Sequence, residues 1–204
     1  MATRRNTKEL ILDIAEDLFA QQGFGATSVS EIASQVGISS PGIYKHFSNK
    51  LDIYEQVCQR LFAPLADATR GMAAEADFAE TRKQIHQVMS HLATKPNTAR
   101  IVQHATLARD ETLDLLSDRW YRKFFSTISD PASNPEKEWI NVPTAMAFHC
   151  MILGYVTLAP LHHSIFGVDP LQPEQLEAQL QFQQNMVDGL STLVHRSHKE
   201  SSGH

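Results

Sequence analysis

A chain of 204 residues with a formal net charge of -5 and 42% hydrophobic residues can bury one sizeable core, or a small domain attached to a larger one. The acidic balance excludes a generally basic, sequence-independent nucleic-acid binder, and any DNA contact has to come from a local patch. Cys58 and Cys150 are the two cysteines, too few for a disulfide framework or a zinc knuckle, and packing is their expected role.

The N-terminus M-A-T-R-R-N-T runs into an amphipathic segment without an apolar leader or a cleavage site, which predicts a cytoplasmic protein. Arg4 and Arg5 either reach DNA or form a solubilising arm. Residues 7–22 read as a first helix, with Leu10, Ile11, Ile14, Ala15, Leu18 and Phe19 on one face at helical spacing. Gly23 and Gly25 are expected to stop it. Phe24 between them is expected to enter a small core with Val29, Ile32, Ile43 and Phe47.

Residues Thr27 to Lys50 organise the rest. Ser28 followed three residues later by Glu31 is a capping box, so a helix begins there. Val29, Ile32, Ala33 and Val36 give it an apolar stripe until Gly37 ends it. Ser39 can cap a second helix with Pro41 in its first turn, where a missing N–H does no harm. Ile43 and Phe47 point inward, leaving Ser39, Ser40, Gly42, Tyr44, Lys45 and His46 on an outer face that is short, flat or cationic. Two short helices joined by a glycine turn are either plain scaffolding or a helix-turn-helix whose second helix lies in the major groove.

The residue string favours the second. E-I-A-S-Q-V-G-I-S-S-P-G-I-Y-K-H-F-S-N-K-L-D-I-Y, residues 31–54, closely resembles the DNA-binding signature of the TetR (tetracycline-repressor-like) family of bacterial transcription regulators. Val36 stands where family members more often carry Ala. The resemblance is sharp over residues 8–60 and dissolves beyond. It implies that Tyr44 and His46 touch the phosphate backbone, with Thr27, Ser28 and Lys50 joining them from neighbouring helix starts, contacts that position without reading sequence. Ser39, Ser40, Gly42 and Lys45 are the candidates for base edges, Lys45 being able to donate to guanine O6 or N7.

A connecting helix is expected from Asn49, carrying Leu51, Tyr54, Val57, Cys58, Leu61, Phe62 and Leu65, kinked or ended by Pro64. Amphipathic stretches follow near 78–94, 97–108, 110–129, 137–163 and 173–196, separated by turn residues. No window alternates like a strand. The expected fold is all-α, about nine helices. Residues 1–50 would form a three-helix DNA-binding domain and 51–204 a larger helical domain for ligand binding and dimerisation. The resemblance implies that helices 137–163 and 173–196 pair with those of a second subunit. Leu176, Leu180, Val187, Leu190 and Val194 form an apolar stripe suited to that pairing, with Gly154 and Gly189 allowing close approach; the alternative for the stripe is a purely intramolecular core. A homodimer also accounts for a single short reading helix, because two copies read two half-sites of a near-palindromic double-stranded operator.

The ten histidines show no zinc-ligand spacing, and no nucleophile elbow or phosphate loop appears, so no metal, cofactor or catalytic site is expected. Met89, Leu92, His104, Trp120, Phe124, Met146, His149 and Leu153 can line a mostly apolar pocket with a few polar groups, or can be ordinary core. The function expected is a transcription regulator, a repressor released from its operator by a small molecule. The alternatives are a DNA-binding dimer regulated by a protein partner, and a helical enzyme or metal-binding protein.

Overall fold

The structure, a computed structural model, describes residues 6–69, 78–125 and 142–201. Every regular element among them is a helix: α1 (Thr7–Ala26), α2 (Val29–Val36), α3 (Ser40–Ile43), α4 (Lys50–Thr69), α5 (Phe78–Thr94), α6 (Pro96–Ala108) and α7 (Glu111–Leu116). A π turn, Ser117–Tyr121, leads into α8 (Arg122–Phe125), followed by α9 (Val142–Thr157), α10 (Ala159–Phe166) and α11 (Pro173–Ser201). Arg4, Arg5 and the segment 126–141 lie outside the described residues. No single described helix is long and apolar enough to cross a membrane.

The chain divides into two compact units, Met1–Pro64 with Lys95–Tyr121, and Leu65–Thr94 with Arg122–His204. The first is built on α1, whose buried face, including Ile11, Ala15 and Phe19, packs against α2 and α6. Ile32, Ile43, Phe47, Ile53, Val57 and Cys58 extend that core through α2, α3 and α4. Each fully buried side chain of this size contributes about 1.5–3 kcal/mol. Ions tie α1 to α4: Arg60 contacts Asp13 at 2.6 Å and Glu16 at 2.5 Å.

In the second unit α5 packs against α9 and α11, and α9 against α10. Ile85, Met89 and Leu92 of α5, Ile152 and Val156 of α9, and Leu180 and Val187 of α11 are buried.

Several expectations change. Gly23 breaks α1 without ending it: its backbone leaves helical geometry (φ 82°, ψ 169°) and the helix resumes to Ala26. Phe24 packs its ring with Phe19 and Tyr54, at 5.8 and 5.3 Å between centroids. Pro64 does not end α4. Of the long helix expected over 137–163, the described part, from Val142, is two helices bent by 64°, because the chain leaves helical geometry at Leu158 just before Pro160. The stripe expected to face a second subunit contains Leu180 and Val187, which turn into the unit's own core. The exposed apolar face of α11 carries Phe182 and Met186 instead, 54% and 41% exposed. Val194 lies outside the described side chains.

Candidate nucleic-acid interface

The helix-turn-helix is fixed by local chemistry at each end. Ser28 Oγ accepts from the Glu31 N–H at 3.1 Å, and Glu31 Oε2 accepts from the Ser28 N–H at 3.5 Å, closing the capping box of α2. At the other end Gly37 takes the left-handed conformation (φ 80°, ψ 29°) that costs glycine least, and Ile38 N–H donates to the Ala33 carbonyl at 3.0 Å. α3 then begins with Pro41 in its first turn, although Ser39 makes no side-chain cap.

α3 is one turn long. Tyr44, Lys45 and His46 therefore lie not on a continuing helix but in the turn that extends it, where His46 and Phe47 N–H groups donate to the Ile43 carbonyl at 2.9 and 3.1 Å. Ile43 and Phe47, both buried, anchor that turn from below. Outward it presents Ser39, Pro41, Tyr44, Lys45 and His46, all exposed, with Tyr44 at 55%. Ser40 and Gly42 are half-buried. A Cβ added at Gly42 would meet only Ile38, at an ordinary 3.5 Å. Packing within the protein does not demand glycine there, which leaves its smallness available to an outside partner.

The remaining expected contacts sit differently. Thr27 is buried, and its hydroxyl donates to the Gly23 carbonyl at 2.8 Å. That hydroxyl closes the broken end of α1 and faces no solvent. Ser28 is exposed but its oxygen caps α2. Lys50 donates to the carbonyls of Phe24 and Thr27 at 2.7 and 2.8 Å, and its ammonium lies 4.1 Å from the Phe24 ring centre. An ammonium has three protons, so one remains for a phosphate.

Two contributors carry no sequence signal. Gln22 donates to Thr27 Oγ1 at 3.3 Å and Glu31 Oε2 at 2.9 Å, joining α1 to α2. Lys8 lies 5.5 Å from the centre of the Phe47 ring, adding a cation beside the anchored turn. At the start of α4 Asp52 accepts from the Ser48 N–H at 2.7 Å, which holds its carboxyl below the usual range.

The eight residues expected to line a ligand pocket are divided between the two units. His104 and Trp120 belong to the first, with Trp120 stacked on Phe62 at 5.8 Å. The other six belong to the second, where Met89 and Leu92 are buried and Leu153 is half-buried on α9. Phe124 meets Phe125 edge-on at 4.7 Å, and Phe125 meets His149 edge-on at 5.6 Å. Burial holds the His149 imidazole below its ordinary value. Met146 is 61% exposed and does not face that interior.

Among known proteins, residues 11–57 match the family described as bacterial regulatory proteins, tetR family. The transcriptional activator FasR of Mycolicibacterium smegmatis is 33% identical over 125 residues, covering 52% of this chain and 57% of that protein. The regulator AcrR of Shigella flexneri is 42% identical over 53 residues, 26% of this chain and 25% of AcrR. This chain thus spans little more than half of one curated relative and a quarter of the other. The solved structure of the ketosteroid transcriptional regulator KstR2 of Mycobacterium tuberculosis shares the fold, with a TM-score of 0.64 at 18% identity over 92% of this chain and 96% of that one.

Proposed function

We propose, from the premise that this chain belongs to the tetR family of bacterial regulatory proteins through residues 11–57, that it is a sequence-specific DNA-binding transcription regulator of the cytoplasm. The observation that carries the reading is the turn Tyr44-Lys45-His46, exposed and polar on a buried Ile43–Phe47 anchor. In this reading Tyr44 and His46 hold phosphates, Lys50 offers its third proton to another, and Ser39, Ser40, Gly42 and Lys45 face base edges. Thr27 and Ser28 keep α1 and α2 in register for those contacts. Residues 1–50 carry the DNA work, and the remainder carries dimerisation and effector binding.

The chain acts as a homodimer through α9, α10 and α11 on a near-palindromic operator, and the exposed Phe182 and Met186 support that interface. A small, moderately apolar effector among Met89, Leu92, Phe124, His149 and Leu153 favours a form whose two reading turns no longer match the half-site spacing. Release follows because the effector binds the two forms unequally. Repression is the expected sign; the activator FasR among the relatives supports the opposite sign as a second reading.

The test is an anisotropy titration against DNA from upstream of the chain's own gene, with salt varied and random DNA as competitor. Specific binding is expected to exceed non-specific binding by about 10³- to 10⁷-fold. Tyr44→Ala weakens binding to all sequences alike, whereas Lys45→Ala relaxes discrimination at one base position. Unchanged affinity in both variants would sink the assignment of the reading turn.

A further inference from the structure

The ammonium of Lys8, in the first turn of α1, stands over the ring of Phe47, 5.5 Å from its centre. That is within the distance at which the negative face of an aromatic ring attracts a cation. Phe47 is the buried anchor under Tyr44-Lys45-His46, only 2% exposed, and Lys8 is half-buried. A lysine so placed lays its carbon chain along apolar surface and keeps its charged end in water. The Asn6 side chain accepts from the Lys8 N–H at 3.1 Å, which sets the register of that first turn. A cation from α1 is thereby pinned to the residue that directly follows His46.

Other cations of this unit are committed elsewhere. Arg60 is paired with Asp13 and Glu16, Arg119 with Glu55, and Lys50 gives two of its protons to the Phe24 and Thr27 carbonyls. Lys8 makes no ion pair with any described residue. The carboxylate that feels its charge is Asp52, and both oxygens of that group are occupied. Asp52 Oδ2 accepts from the Ser48 N–H at 2.7 Å and Oδ1 from Gln56 at 2.6 Å. The protons of the Lys8 ammonium therefore have no acceptor among the described residues, while its charge offsets a carboxylate that would repel a phosphate from the start of α4.

We propose that Lys8 is a DNA phosphate contact, delivered from α1 to the flank of the reading turn and held there by the Phe47 ring. The inference rests on the DNA-binding reading above and adds to it a residue outside the helix-turn-helix. The ring that anchors Tyr44-Lys45-His46 from below also fixes the cation beside them, so turn and cation keep one register on the duplex. A phosphate carries no base identity, so Lys8 supplies affinity and positioning and leaves discrimination to the turn.

Anisotropy titrations of the full-length chain against two labelled duplexes, one from upstream of its own gene and one of random sequence, test this over a range of salt concentrations. Lys8→Met keeps an unbranched side chain over Phe47 and removes the charge. It is expected to weaken binding to both duplexes by the same factor, roughly eightfold per contact at about 0.1 M salt, and to lower the slope of log affinity against log salt by about 0.9 for each chain bound. Lys8→Arg should restore both. A Lys8→Met chain with the wild-type slope on both duplexes overturns the contact. If its preference between the duplexes also changes, Lys8 is a prop for Phe47 instead. A wild-type chain that binds neither duplex in a salt-dependent way overturns the DNA-binding reading, and this contact with it.

Discussion

At Gly23 the backbone takes φ 82° and ψ 169°, a combination residues with a Cβ avoid, and the added carbon would also meet His104 Nδ1 at 3.0 Å. Gly23→Ala should destabilise the chain by about 1–3 kcal/mol, read as a lowered urea midpoint with an unchanged slope. An unchanged midpoint would mean that the break in α1 relaxes at no cost. His149 makes a residue-scale prediction in pH. Burial lowers its native pKa below the unfolded value of about 6.5, so the unfolded chain binds the proton more readily. The stability this neutral imidazole supports is present above that unfolded value and is lost as pH falls from it through the lower native one. His149→Phe should flatten the stability profile between neutral and mildly acidic pH. A slope identical to wild type would assign the acid sensitivity to other groups.

Between elements, Arg60 supplies the ion pairs that help bind α4 to α1. It donates to Asp13 and Glu16, and Asn97 of α6 donates to Glu16 at 3.3 Å and to Asp17 at 2.9 Å. Glu16 is only 11% exposed at its side chain, so Arg60→Met strands most of a buried carboxylate and should cost about 1–3 kcal/mol in chemical denaturation. Adding Glu16→Gln should recover part of that loss, and a double-mutant cycle with no coupling would deny the link. Which of these elements the sequence announced follows from range. The capping box of α2, Gly37 and the Tyr44-Lys45-His46 surface are written within a few consecutive residues, where spacing alone dictates geometry. Lys50 reaching Phe24 and Thr27, Gln22 reaching Glu31, and α6 packing on α1 join residues far apart in the chain, and no periodicity encodes them. α11 is harder to read for another reason: apolar residues occupy two of its faces, and spacing alone does not separate Leu180 and Val187, which are buried, from Phe182 and Met186, which are exposed. The expected pocket residues share an apolar and aromatic composition spread along several helices. Composition did not specify which face of α9 Met146 occupies, nor that His104 belongs with Gly23.

At the scale of the whole molecule, the net charge of -5 offers no general attraction to DNA, so affinity has to come from a few placed contacts, which the proposed homodimer would use twice. One short reading turn spans few base pairs, and doubling it through a two-fold axis supplies both length and specificity. The second unit has a surface suited to that doubling. Phe182 and Met186 stand four residues apart on one exposed face of α11, Gly189 beside them has open space where a Cβ would point, and α10 exposes Leu161, Ile165 and Phe166. Apolar side chains grouped on an exposed helix face are more costly in water than scattered ones and mark association surfaces. Replacing Phe182 and Met186 by Glu leaves the buried Leu180–Gln183–Val187 face untouched while putting like charges opposite each other across a two-fold axis. The double variant should remain folded by circular dichroism, sediment as a monomer, and bind its operator no better than random DNA at salt where the wild type is specific. A variant that still sediments as a dimer would move the interface off this face of α11. A monomer that keeps wild-type operator affinity would show that one reading turn suffices, and the two-half-site argument would fail with it.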